Sequence, residues 1–480
     1  MPSNAKVQPR YNESSLNHHG ILRNVVLLFI RIMFNSLNMM NRHNSGHPLW
    51  ITSLLKHLFT LQRNNHMKTF LIITSFLLAV VSKAAIFQVN LTSIDLTDVN
   101  PGNGVCKISG GNFCTLRAAV MEANALPGND IIVIPGNALI VLTIKGANEN
   151  SAATGDLDIT DNLTIGSFIE PIEDFPTVSA LGLNDRVFDV GFGTGNVTFI
   201  NFKIINGNAS VNSQNGGAIR INAFNEVEVL SVWFQDNVAD SGGAIYVNGV
   251  SELSVTDSVF RANAVTETGA AISALGKTTI SHSTFFEHVN LNNVQEETLY
   301  ISHAPKIGAG LMKVTNSTLF NNNGTAIYSN GGRIILNNVS LINNGRFGLL
   351  ATPGPFATRA MIQNSVFDNN NLSDCSVTAG VNSNNVNNYN MSSDISCLNG
   401  GSSNLIGDPD LSNMRVDADD WHRYFRPNFN SPLVDSANPA APGISNSCEA
   451  DDQLGLIRAT GGCDRGAIEL SSDIIFFNGF

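Results

Sequence analysis

Asp156 and Asp158 alternate with Leu157 and Ile159 in the run Gly155-Asp156-Leu157-Asp158-Ile159-Thr160. Alternate side chains of an extended chain share a face, so the two carboxylates would point outward together and suit calcium, a hard ion that takes several oxygen ligands. The plainer use of the same pair is to bind backbone amides at a turn. A second set of candidates lies downstream: Glu287 and His288 as catalytic residues, and His282, Tyr300 and His303 as ligand-binding residues. A glycoside hydrolase needs two carboxylates across the scissile bond. A polysaccharide lyase needs a base for the proton α to a uronate carboxylate and a cation for the negative charge that develops. Against these roles, His282 stands where related segments have Asp257, Asn316 and Asn338, and His288 where they have Asn263, Asn322 and Asn344. A histidine stacked in a polar ladder explains both. Asp417, Asp419 and Asp420, before Trp421 and His422, read as a solvated loop, and Asp451 and Asp452 as hydrogen-bonding groups of a C-terminal cap. No phosphate-binding glycine loop, serine nucleophile elbow or His-Glu-x-x-His motif is present.

The elements that must position these residues come from a repeat. An apolar residue, a small polar residue two further on and a large apolar residue three beyond recur as Val229, Ser231, Phe234; Val255, Asp257, Phe260; Ile280, His282, Phe285; Val314, Asn316, Leu319; Leu336, Asn338, Leu341; and Ile362, Asn364, Phe367, with a looser copy at Phe199, Asn201, Ile204. A regular period of this length marks a solenoid. Apolar and polar residues alternate, as in Ile219-Arg220-Ile221, which predicts short strands joined by turns. A second phrase, Gly216-Gly217-Ala218-Ile219, Gly242-Gly243-Ala244-Ile245, Gly269-Ala270-Ala271-Ile272 and Gly324-Thr325-Ala326-Ile327, marks another corner, where glycine supplies positive φ. Seven or more coils stacked at roughly 4.8 Å make an all-β parallel β-helix. Its longest inter-repeat step, Ile280 to Val314, contains Glu296, Glu297, Tyr300 and His303. Insertions in solenoids often form the binding face, so this loop is the first expectation for a ligand site.

The 480 residues carry a formal net charge of −12, with 14% charged residues. With no basic stripe to neutralise phosphates, a nucleic-acid partner is excluded and an uncharged polar ligand fits better. Met67-Lys68-Thr69, the apolar run Phe70 to Val81 and the small residues Ser82 and Ala84 form a secretory signal over 67–84, predicting cleavage after Ala84. Residues 1–66 show neither the repeat nor a domain-like pattern and read as an upstream, mis-assigned start; otherwise Phe70 to Val81 is an uncleaved anchor. All six cysteines follow the cleavage site, in three close pairs: Cys106 with Cys114, Cys375 with Cys397, Cys448 with Cys463. Sequence alone cannot fix their connectivity, but export makes disulfides the default, with sequential pairing preferred.

Both ends of a solenoid need covering. Leu116, Ala119, Val120 and Ala123 share one face of a helix ended by Asn124, Pro127 and Gly128, a suitable N-terminal cap. Residues 85–165 then hold this cap and the first strands, 166–370 the repeats, and 371–480 a C-terminal region with a disulfide-tied cap. Asp473 to Phe480 form an apolar tail, read as a docking segment or a strand on the cap.

Cys114-Thr115-Leu116-Arg117-Ala118-Ala119, followed by Ala123-Asn124, resembles the CSLREA domain, with Ala118 in place of the usual Glu. Asp452-Gln453-Leu454-Gly455 through Arg458 to Cys463-Asp464-Arg465-Gly466-Ala467-Ile468-Glu469 resembles the choice-of-anchor Q domain. Gly-Gly-Ala-Ile together with Phe234 to Asn237, Phe260 to Asn263 and Phe367 to Asn370 is similar to the motifs of polymorphic outer-membrane proteins. These resemblances imply a right-handed parallel β-helix of the pectate-lyase type, secreted or held at the cell surface or outer membrane. The function expected is a binding or adhesion module toward carbohydrate or a cell surface, with a polysaccharide lyase or glycoside hydrolase as the alternative; no cofactor is expected, with calcium at Asp156 and Asp158 as the one candidate ion.

Overall fold

A computed structural model describes residues 84–146, 149–168, 174–292, 297–304, 308–355, 359–378, 387–397, 401–444 and 447–470. The upstream start, the signal up to Lys83 and the tail from Asp473 lie outside the described residues.

Each repeat is one coil. Glu226–Gln235 is typical: Val227, Val229, Val232 and Phe234 are buried, and the strand bends at Ser231, whose φ is 50°. The same corner is made by Asn201, Asp257, His282, Asn316, Asn338 and Asn364, all with positive φ. That conformation is costly for most L-residues and mildest for Asn and Asp, which is why a small polar residue recurs there. At the glycine phrase the constraint is stricter. Gly242 has φ 68°, and a Cβ there would meet the Ile245 carbonyl oxygen at 2.4 Å.

Coils stack in register. Val229 pairs with Val255, Val255 with Ile280, Ile280 with Val314, Val314 with Leu336, and Leu336 with Ile362, all nearly or wholly inaccessible to solvent. Phe234, Phe260 and Phe285 form a second column, with ring centroids 4.6 Å apart. An 18-stranded sheet carries these columns, and a 10-stranded sheet begun by Leu157–Ile159 forms another wall. The strands of successive coils pair in parallel, and right-handed is the sense that parallel crossovers favour. The chain is thus a right-handed parallel β-helix.

Inside one corner runs an amide ladder. Asn237 Nδ2 donates to Asn263 Oδ1 at 2.9 Å, and the same bond joins Asn322 to Asn344 and Asn344 to Asn370. Each buried amide also reaches a strand carbonyl, as Asn263 Nδ2 does to Phe234 O at 3.0 Å, so these asparagine rungs have their amide groups paired.

At the N-terminal end the helix Leu116–Ala125 packs its buried Leu116, Ala119, Val120 and Ala123 on the first coils. Thr115 caps it, accepting from Ala118 N at 3.2 Å. Arg117, fully buried, forks onto Asp95 at 2.8 and 3.1 Å and donates to the carbonyls of Ala152 and Gly155. The three cysteine pairs are sequential disulfides: Cys106–Cys114, Cys375–Cys397 and Cys448–Cys463.

The C-terminal region is disulfide-tied, but its reach exceeds that of an end cap. After Leu405–Ile406 the chain turns back along the flank of the coils. Trp421 packs against Trp233 and Phe175, with centroids 5.5 and 5.6 Å away, and donates its indole N–H to Asp257 O at 3.0 Å. Further on, Gln453 accepts from Thr318 Oγ1 at 2.5 Å and Ala467 N donates to Ser340 Oγ at 3.0 Å. This strap explains the outward Trp233, Val259, Phe286, Phe320 and Ile342, which it buries. The expectation of a solvated loop holds for exposed Asp419 and Asp420 and fails for Trp421 and His422, both buried. Asp417 instead accepts from the Trp421 and His422 amides at 2.7 and 2.9 Å and so fixes the turn that inserts them.

Candidate functional site

The outward positions of the 10-stranded sheet form one row along the rod. Register places Asp158 beside Asp189, then Arg220, Tyr246, Ser273, Tyr300, Tyr328 and Leu350 on successive coils. Each follows the buried apolar residue of its phrase, as Tyr246 follows Ile245 and Tyr328 follows Ile327. A residue next to an inward-facing one must face out.

One end of the row is charged. Oxygens of Asp156, Asp158 and Asp189 lie within 4.8 Å of one another, close enough to hold a metal ion. Their all-oxygen donor set suits a hard cation, yet each carboxylate already has protein partners. Asp156 Oδ2 meets Arg186 NH1 at 2.5 Å, and that nitrogen lies 3.8 Å from Asp185 and 3.9 Å from Asp189. Arg220 clasps Asp189, with Nε 3.0 Å from Oδ1, and Asn222 Nδ2 donates to the same oxygen at 2.7 Å. Asp158 Oδ2 accepts from Ala152 N at 3.0 Å, the backbone-amide role read as the plainer alternative. The Arg186 guanidinium supplies positive charge beside two of the three aspartates, Asp156 and Asp189. All three aspartates are under 5% exposed, so their outward placement does not bring them to solvent; Ala152, Arg186 and Arg220 are among the groups against them. Burial, aided by the Asp156 charge, pushes Asp158 up to about 8. Burial also lifts Asp156 to about 7 against the attraction of Arg186.

The middle of the row is aromatic and partly open. Tyr300 and Tyr328 meet edge to face at 5.5 Å; Asn330 Nδ2 donates to Tyr300 OH at 3.1 Å, and Tyr328 OH lies 3.2 Å from Thr352 Oγ1. Tyr246 is half-buried, and burial raises its phenol above the ordinary value. Tyrosines presenting ring faces and hydroxyls together suit flat, hydroxyl-rich ligands.

Tyr300 therefore shares a row with Asp158, but five coil steps, roughly 24 Å, separate them. The other candidates lie elsewhere. His288 is a rung of the amide ladder: its Nδ1 accepts from Asn263 N at 3.1 Å, its own N–H donates to Asn322 Oδ1 at 3.2 Å, and it is 2% exposed. Burial pulls its imidazole down to about 4. Glu287, at a left-handed corner with φ 61°, pairs on the surface with Arg261 at 2.8 Å. His282 faces the strap, 3.1 Å from Asp451 Oδ1, which Asn316 Nδ2 also reaches at 3.1 Å. Asp452 accepts from the amides of Leu454, Leu456 and Glu469, as expected of a cap residue. His303 begins a small antiparallel hairpin, facing Ala309.

The expectation of a binding loop containing Glu296, Glu297, Tyr300 and His303 needs correcting for its described part, Glu296 lying outside the described residues. Glu297–Ala304 is a strand of the coil, with Leu299 and Ile301 fully buried. At its end, His303 and Ala304 pair antiparallel with Gly308 and Ala309 in a small hairpin; 293–296 and 305–307 lie outside the described residues. The repeat phrase lies on a different wall from this strand, so the spacing between phrases does not reveal it.

Asp185, Arg186, Asp189, Arg220, Tyr246 and Tyr328 were missed from sequence. The signal was present: aligning Leu157-Asp158-Ile159 with Phe188-Asp189-Val190 and Ile219-Arg220-Ile221 gives the row directly.

No family model and no curated protein matches the chain. Among solved structures it is similar to that of the pectate lyase Pel9A, at 13% identity and a TM-score of 0.43, over 82% of this chain and 98% of that one.

Proposed function

We propose that this protein is an exported, surface-associated β-helix that binds carbohydrate, acting as an adhesion module at a cell surface or outer membrane or as a secreted protein. The observation that carries the reading is the outward row Tyr246, Ser273, Tyr300 and Tyr328 on consecutive coils. Three coil steps span roughly 14 Å, enough for several sugars laid along the rod, and aromatic faces beside hydroxyls are the groups such a ligand engages. Three disulfides support an oxidising compartment. The CSLREA-like start and choice-of-anchor Q-like end point the same way, as does the secretory signal expected before Ala85.

The purified chain should be retained on one member of a panel of immobilised polysaccharides. Tyr300→Ala with Tyr328→Ala should abolish retention without changing the unfolding midpoint. Retention unaffected by both changes sinks the assignment to this row.

A polysaccharide lyase or glycoside hydrolase is the second reading. One observation favours it: Asp189 and Arg220, an acid and a cation, adjoin the tyrosines on the same row, and the Arg220 side chain is 28% exposed. Unsaturated or new reducing-end products from any polysaccharide would establish it over simple binding. Calcium at the triad is the ion that reading would add, and it would have to displace Arg186.

A further inference from the structure

Asp130 opens the strand Asp130–Val133, which pairs in parallel with Ile86–Gln88 so that Ile86 faces Ile131. Ala85 therefore lies beside Asp130. Its backbone N–H donates to Asp130 Oδ1 at 2.8 Å, and its carbonyl accepts from Ile131 N at 2.9 Å. Asp130 is 1% exposed, and its other oxygen, Oδ2, has no hydrogen-bond partner. The ionisable groups that bear on it, Asp161 and Glu122, are both acids. Glu122 is itself engaged with the amides of Gly102 and Val105 at 2.7 and 3.1 Å. A peptide N–H offers one proton and no charge, too little for a buried carboxylate.

The peptide bond expected to be cut on export is Ala84–Ala85. Hydrolysis adds the water oxygen to the Ala84 carbonyl carbon and leaves Ala85 with an amine, protonated at neutral pH. A single-donor amide thereby becomes a cation with three donors, already 2.8 Å from the carboxylate.

We propose that Asp130 is a built receptor for the α-ammonium group of a mature chain beginning at Ala85, so that leader removal by a signal peptidase completes the first coil with a buried ion pair. The inference rests on the export reading above, and its chemistry is that of a site made by processing. Before the cut, Asp130 keeps an orphan oxygen. Afterwards both oxygens have donors and the local excess of negative charge is relieved.

Two chains differing only at the start test it: one beginning at Ala85 and one retaining Ser82-Lys83-Ala84. The mature form should have an unfolding equilibrium constant lower by about tenfold or more, and Asp130→Asn should remove the difference. Equal stability of the two Asp130 chains overturns the proposal, as does a difference that survives in the Asn variants. If Asp130→Asn does not fold, the mature protein alone suffices. Its α-amine should react with an acylating reagent at least about tenfold more slowly in the native than in the unfolded chain, and equal rates overturn the pairing. Sequencing the N-terminus of the exported protein separates the two layers: a start other than Ala85 overturns the processing step, whereas a start at Ala85 without an Asp130-dependent effect overturns the ion pair alone.

Discussion

Asp158 and Asp189 lie directly beside one another on adjacent coils, two aspartates under 5% exposed whose neighbour in the row, Arg220, clasps only the second. Among the described residues Asp158 accepts from a backbone amide and forms no ion pair. The folded chain therefore holds a proton on Asp158 up to about pH 8, against an ordinary value of 3.8. A raised carboxylate means that the native state binds more protons than the unfolded state across that window, so stability falls as pH rises from about 4 to about 8. Asp158→Asn, which keeps an acceptor for Ala152 N, should flatten this slope and raise the unfolding midpoint at pH 8 more than at pH 5. Thermal unfolding at the two pH values decides it.

Arg186 reaches Asp156, Asp185 and Asp189 within 3.9 Å and so acts as an internal counter-cation for two of the three triad aspartates, Asp156 and Asp189. Millimolar calcium should leave the melting temperature of the wild type unchanged. Arg186→Gln should lower stability in the absence of calcium, since breaking a buried pair costs on the order of 3–5 kcal/mol, and should make the melting temperature rise when calcium is added. A calcium-dependent rise in the wild type would show that the guanidinium yields to the ion.

Among the described residues, His288 is an imidazole in a ladder otherwise built of amides, and its Nε2 has no hydrogen-bond partner. His288→Asn should restore the second rung and stabilise by about 1 kcal/mol in denaturant unfolding. Burial holds the folded-state value near 4, below the ordinary 6.5. The unfolded chain then takes up a proton that the folded chain refuses, and stability is lost as pH falls from 6.5 toward 4. The Asn variant should lack this acid-side loss; a pH profile identical to that of the wild type would contradict the assignment.

Trp421 anchors the strap between Trp233, Phe175 and the Asp257 carbonyl. Trp421→Ala should cost about 3–5 kcal/mol, as large-to-small changes of buried aromatics do. Limited proteolysis should cut the variant first within 411–430 while leaving the coils intact. Cleavage elsewhere at the wild-type rate would argue against the strap as a separately anchored unit.

Val255 points into the column and Thr256 out of it, where it meets Ser281 at 3.2 Å. Val255→Asp should cost several kcal/mol or prevent folding, because it buries an unpaired charge, whereas Thr256→Asp should stay within about 0.5–1 kcal/mol of wild type. Equal losses in urea titrations would mean that the assigned register is wrong.

The repeat, the inward column, the left-handed corners and the glycine turns were legible in the sequence because each is a local requirement. A one-residue shift along a strand exchanges inside for outside, so alternation alone fixes Val229, Val255 and Ile280 as core. A bend at positive φ restricts the residue type, which marks Ser231, Asp257 and Asn316 without any knowledge of their neighbours. Closeness in the chain favoured the sequential disulfides without fixing them. What only the tertiary structure decided is which coil faces which distant segment. His282 and Asp451, or Trp421 and Trp233, are far apart in the chain, and no period relates the irregular strap to the coils it covers. Glu297–Ala304 was mistaken for a loop because the phrase marking its coil lies on a different wall. Asp158 and Asp189 became partners only when two coils came into register, since the field acting on a carboxylate is set by what lies a strand spacing away and by how little water reaches it.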